Sequence, residues 1–104
     1  MEIEEIKHKV ADIVRDELAG LPHRAFFFGS RISGTASPRS DLDVGVESLA
    51  ATLVPVPTDT MRAIKVRIDS LRTLYTIDVV DFFGMSEDFK KVAKAHIEEI
   101  KTED

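Results

Sequence analysis

Apolar residues recur at helical spacing from the start of the chain. Ile3, Ile6, Val10, Ile13, Val14 and Leu18 share one face, so the pattern predicts a helix over 3–19. Gly20 and Pro22 punctuate its end. The run Arg24-Ala25-Phe26-Phe27-Phe28 is short, bulky and almost continuously apolar, as a buried strand should be. Three consecutive phenylalanines would leave one exposed on a one-sided sheet, so both faces are expected to be covered. Residues 29–40 are rich in Gly, Ser, Thr and Pro and include two arginines, the composition of a loop or of a loop with one helical turn. Alternation over 42–47 predicts a second strand. Residues 48–57 are apolar but broken by Pro55 and Pro57, which oppose a continuous helix or a central strand. Thr58 or Asp59 can cap a helix reaching residue 72, with Met61, Ile64, Ile68 and Leu71 inward. Residues 74–82, rich in β-branched and aromatic side chains, predict a third strand. Gly84 turns the chain, and Ser86 caps a last helix with Phe89, Val92, Ala93, His96 and Ile97 inward.

The predicted order is α-β-(loop or turn)-β-α-β-α, an α/β layer structure with a small sheet of about three strands flanked by helices. Neither an internal repeat nor a linker divides it, so residues 1–104 are expected to form one domain. A chain of this length can bury roughly two-thirds of its unfolded surface.

Composition narrows the chemistry. The net charge of −5 argues against tight non-specific binding to nucleic acid, which needs surplus Lys and Arg. It does not oppose binding a nucleotide, because a divalent metal can offset phosphate charge locally. The absence of cysteine excludes disulfides and zinc-thiolate sites. His8, His23 and His96 have no ligand spacing. The first residues, acidic and amphipathic, lack a signal-peptide core, and no apolar run reaches the roughly 20 residues of a membrane span, so a cytoplasmic location is expected.

Three groups of residues carry candidate chemistry. Asp41 and Asp43 lie at i and i+2, on one face of a strand and about 6.5–7 Å apart along it. Two carboxylates so placed repel by roughly 1–4 kcal/mol at close range, depending on the local dielectric. A cation reverses that sign, and such oxygen ligands suit Mg²⁺ or Mn²⁺. An isolated Asp-x-Asp is nevertheless common enough to be a plain solvated strand end. Gly29 and Ser30 directly follow the buried strand. Gly29 permits close backbone approach to a ligand, and Ser30 offers a hydroxyl and an N–H at a turn where anions bind. The bland alternative is a Gly-Ser turn. Arg31 and Arg39 supply cations nearby, though either can be an ordinary loop arginine. Finally, Asp78 lies between Ile77 and Val79, where an unpaired charge is costly unless bound to a metal or an arginine. Asp81, three residues on, faces the other side and reads as an exposed strand-end residue. Which of the two completes a site is open at this stage.

Taken together, the segment Phe26–Glu47 with Asp78 resembles the nucleotidyltransferase superfamily that includes DNA polymerase beta and the kanamycin nucleotidyltransferases. It looks most like the minimal nucleotidyltransferases (MNT) of prokaryotes. Their motif is Gly-Ser, ten residues, then Asp-x-Asp. Here Gly29-Ser30 is followed by residues 31–40 and Asp41-Leu42-Asp43. Arg31, Gly34 and Ser40 match the usual setting, Asp78 matches the third acidic position, and Ile32 departs from it by size.

The resemblance implies a polymerase beta-like fold and two Mg²⁺ ions held by Asp41 and Asp43, with Asp78 binding the catalytic ion and helping to deprotonate an acceptor hydroxyl. It places the β- and γ-phosphates of a nucleoside triphosphate, ATP by preference, on Gly29 and Ser30. Arg31 and Ser40 become further phosphate contacts. Larger superfamily members carry a second domain for base or acceptor, for which this chain has no room. The acceptor is then expected from a partner or a second copy. Small domains of this kind resemble antitoxins paired with helical HEPN ribonucleases, and the resemblance implies transfer of AMP to a tyrosine of that toxin. Residues 49–57 and the last helix are candidate partner surfaces, with core packing as the plain alternative. Two other functions stay open: a binding module that neutralises its partner by contact, and a small-molecule transferase of the antibiotic-modifying type.

Overall fold

The computed structural model describes residues 2–34, 41–49, 51 and 53–101. Their elements run α1 (Ile3–Leu18), β1 (His23–Phe28), α2 (Ser30–Ser33), β2 (Leu42–Ser48), α3 (Thr58–Asp69), β3 (Ile77–Asp81), α4 (Glu87–Ala93) and β4 (Glu98–Ile100). The class is α/β, and the sheet is mixed and has four strands in the order β3-β2-β1-β4. β1 pairs antiparallel with β2 and β4, whereas β2 and β3 are parallel, joined by the α3 crossover.

The run of three phenylalanines works as expected, because each face of β1 has its own cover. Ala25 and Phe27 join Leu42, Val44, Val46 and Val79 in the larger core beneath α1 and α3. Phe26 and Phe28 point the other way and meet Phe82 edge-on, with ring centroids 5.2 and 5.4 Å from it. Gly45 makes room for that second cluster. A Cβ there would lie 2.6 Å from the Phe26 ring and 2.8 Å from Phe82. The α4 helix covers this face through Phe89, whose ring is 5.5 Å from Phe82.

Several sequence expectations are corrected. The sheet has a fourth strand where a helix was expected to run on. α4 stops at Ala93, and the chain returns as β4 beside β1. Lys7 of α1 holds β4 in place, its Nζ 2.7 Å from a Glu98 carboxylate oxygen. Val92 and His96, expected inside, are exposed, whereas Ala93 and Ile97 do pack on the phenylalanine cluster. α3 ends at Asp69 rather than residue 72, and Pro57 occupies its N-cap, so neither Thr58 nor Asp59 caps it. β3 begins at Ile77, and Leu74, expected in that strand, is fully exposed. Ser86 does cap α4, its Oγ accepting from the Phe89 N–H at 3.1 Å.

Candidate metal centre

The parallel register of β2 and β3 sets Asp43 directly beside Asp78. Neighbouring strands are about 4.8 Å apart, so two side chains paired in this way share a face at close range. Asp41 precedes Asp43 by two residues and adds a third carboxylate. One oxygen from each of the three lies within 4.8 Å of the others. The cluster sits where β2 and β3 begin, on the face that also carries Phe28, which pairs with Asp43 from β1. Asp41 and Asp78 are exposed, and Asp43 is half-buried between them.

Electrostatics agrees with geometry. Burial lifts the Asp43 carboxyl above the ordinary carboxylate range, and the charges of Asp78 and then Asp41 add to the rise. Three hard oxygen donors in mutual repulsion are a fitting ligand set for a divalent cation such as Mg²⁺ or Mn²⁺.

Gly29 is tied to this cluster. It has φ +87°, a conformation that side chains disfavour, and a Cβ on it would fall on the Asp43 carboxylate. Its carbonyl accepts from the Ile32 and Ser33 N–H groups, both at 3.0 Å, which starts the single turn of α2 at Ser30. Gly34, with φ +88°, ends that turn. The expected loop with one helical turn is thus present, and its head stands against the carboxylates. N–H groups at the head of such a turn have no partner within the helix.

The remaining sequence-derived candidates separate. Arg31 lies over the Tyr75 ring, 4.8 Å from its centroid, which anchors α2 to the approach to β3. Nothing in the sequence ties these two residues together. Ser40 and Arg39 lie outside the described residues. Asp81 is on the opposite face from Asp78. It is half-buried rather than exposed, with Oδ2 accepting from the Val56 N–H and Oδ1 from the Phe83 N–H, each at 3.0 Å. Its work is to fix the segment before α3 and the turn at Gly84. Asp78 is therefore the carboxylate that joins Asp41 and Asp43.

Among known proteins, no family model and no curated protein matches the chain. Among the described residues, no helix is long and apolar enough to cross a membrane. Fold and site together define a small α/β domain with three clustered carboxylates and a glycine-led turn against them.

Proposed function

We propose that this chain is a divalent-metal-dependent nucleotidyltransferase of the polymerase beta-like fold. It moves a nucleoside monophosphate, AMP from ATP, onto a hydroxyl acceptor. The observation that carries the reading is the convergence of Asp41, Asp43 and Asp78 within 4.8 Å, with Gly29 against Asp43. The Gly-Ser and Asp-x-Asp spacing read from the sequence also supports it.

Asp41, Asp43 and Asp78 would hold Mg²⁺. When bound, the metal neutralises phosphate charge and stabilises the attacking and leaving oxygens. The turn at Gly29 and Ser30 binds the β- and γ-phosphates and orients the α-phosphate over the carboxylates. Asp78 is exposed on β3, open to an incoming acceptor, and takes the hydroxyl proton. The acceptor oxygen then bonds to the α-phosphorus, the bond to the α–β bridging oxygen breaks, and pyrophosphate departs.

The acceptor assigned here is a tyrosine of a HEPN-type ribonuclease, which this chain thereby silences as an antitoxin in the cytoplasm. That assignment rests on the sequence resemblance. The test is incubation with labelled ATP, Mg²⁺ and the protein encoded beside it. Label should move to the neighbour, and Asp41→Asn with Asp43→Asn should stop it. Neutralisation that survives the double replacement would favour a module acting by contact alone.

A further inference from the structure

We propose that the groove between the end of β1 and α4 seats the nucleoside of the metal-bound triphosphate, with the base against its apolar wall. This rests on the nucleotidyltransferase reading above. The groove encloses about 690 Å³ and is lined by Phe28, Gly29, Ser33, Phe89, Val92 and His96, among others. That volume lies within the range of small-molecule sites, roughly 300–1,000 Å³.

Three observations select a nucleoside as its occupant. The first is continuity with the carboxylates. Gly29 lines the groove and also lies against the Asp43 carboxylate, and Phe28 is paired with Asp43 across the β1–β2 ladder. A ligand whose phosphates meet the triad therefore has the groove beside it. The second is the wall. Phe89, although it packs edge-on against Phe82, and Val92 keep 40% and 78% of their surface in water on the short α4 helix. Exposed apolar surface next to a polar site is what a planar base can cover. The third is charge. Lys91 also lines the groove and makes no ion pair among the described residues, in a chain whose net charge is −5. An occupant with an apolar planar body and an anionic tail uses wall, cation and triad together. An acidic or purely apolar peptide uses only part of that set.

The chain has no tryptophan, so one placed at exposed Val92 reports on the groove alone. In the full chain with Mg²⁺, Val92→Trp emission should change on adding ATP and stay constant on adding inorganic tripolyphosphate. By calorimetry, Val92→Glu should weaken ATP binding about tenfold, the cost of setting a charge against an apolar ring. It should leave tripolyphosphate affinity as it was. Emission blind to ATP, or equally responsive to tripolyphosphate, overturns the inference, as does unchanged ATP affinity in Val92→Glu. ATP that still binds wild type in those cases leaves the nucleotide reading standing and frees the groove for a protein partner. Failure of ATP and tripolyphosphate alike to bind with Mg²⁺ or Mn²⁺ removes both.

Discussion

Gly29 sits against the carboxylate of Asp43 so closely that a methyl group on the glycine would clash with an Asp43 oxygen. The strand-to-turn junction and the acidic cluster are thus one unit. A change in the backbone at Gly29 displaces one of the three clustered carboxylates.

Gly29→Ala should cost both stability and metal binding. The positive φ alone is worth about 1–3 kcal/mol of strain, and the displaced carboxylate adds loss of the cation. Gly34→Ala is the matched control. It also has positive φ, but among the described residues no atom outside its chain neighbours lies within 4 Å of its Cβ position, so it should lose stability and keep metal affinity. Denaturant titration and Mn²⁺ calorimetry on the two variants separate these effects.

Asp43→Asn should stabilise the metal-free protein at neutral pH while abolishing cation binding. The raised Asp43 pKa means that the folded state holds this proton at higher pH than the unfolded chain does. The resulting penalty is fully present above the folded pKa. It shrinks as pH falls through that value and is gone below the unfolded value of about 3.9. Wild type should therefore be less stable than the variant by under about 1 kcal/mol at pH 7, given the partial exposure of the site. The gap should close on acidification. A gap independent of pH between 7 and 3 would contradict this cause. Adding Mg²⁺ should raise the melting temperature of wild type only.

Asp78 and Asp81 should part company. Asp81→Ala leaves two backbone N–H groups without their acceptor and should destabilise by about 1–3 kcal/mol with cation affinity retained. Asp78→Asn should do the reverse. Chemical denaturation paired with Mn²⁺ titration gives both numbers for each variant.

Gly45→Ala should destabilise by about 1–3 kcal/mol, because the added methyl overlaps Phe26 and Phe82 in the smaller core. Loss of near-ultraviolet circular dichroism from the phenylalanine cluster would accompany it. An unchanged melting temperature would mean that the cluster is looser than its edge-on geometry implies.

Much of the site was legible in the chain because strands have a period of two. That period places Asp41 with Asp43 and separates Asp78 from Asp81, and the structure keeps both relations. Which of Asp78 and Asp81 joins the cluster depended on the parallel register of β2 and β3, a long-range pairing that local pattern does not encode. β4 is not legible in the chain because three residues, Glu98-Glu99-Ile100, are too few to show alternation, and Glu98 owes its place to Lys7 in α1. Val92 and His96 were expected inside because helical spacing shows that a face exists without showing how far it is covered. α4 ends after seven residues at the rim of the sheet, and both side chains face the groove. The Arg31–Tyr75 contact is likewise tertiary.

The most direct measurement compares ATP labelled at the α-phosphate with ATP labelled at the γ-phosphate, each incubated with this chain, Mg²⁺ and the protein proposed as its partner. A nucleotidyltransferase built on Asp41, Asp43 and Asp78 transfers α-label to the partner and releases γ-label as pyrophosphate. Transfer of γ-label, or transfer of α-label undiminished in Asp43→Asn, would contradict it.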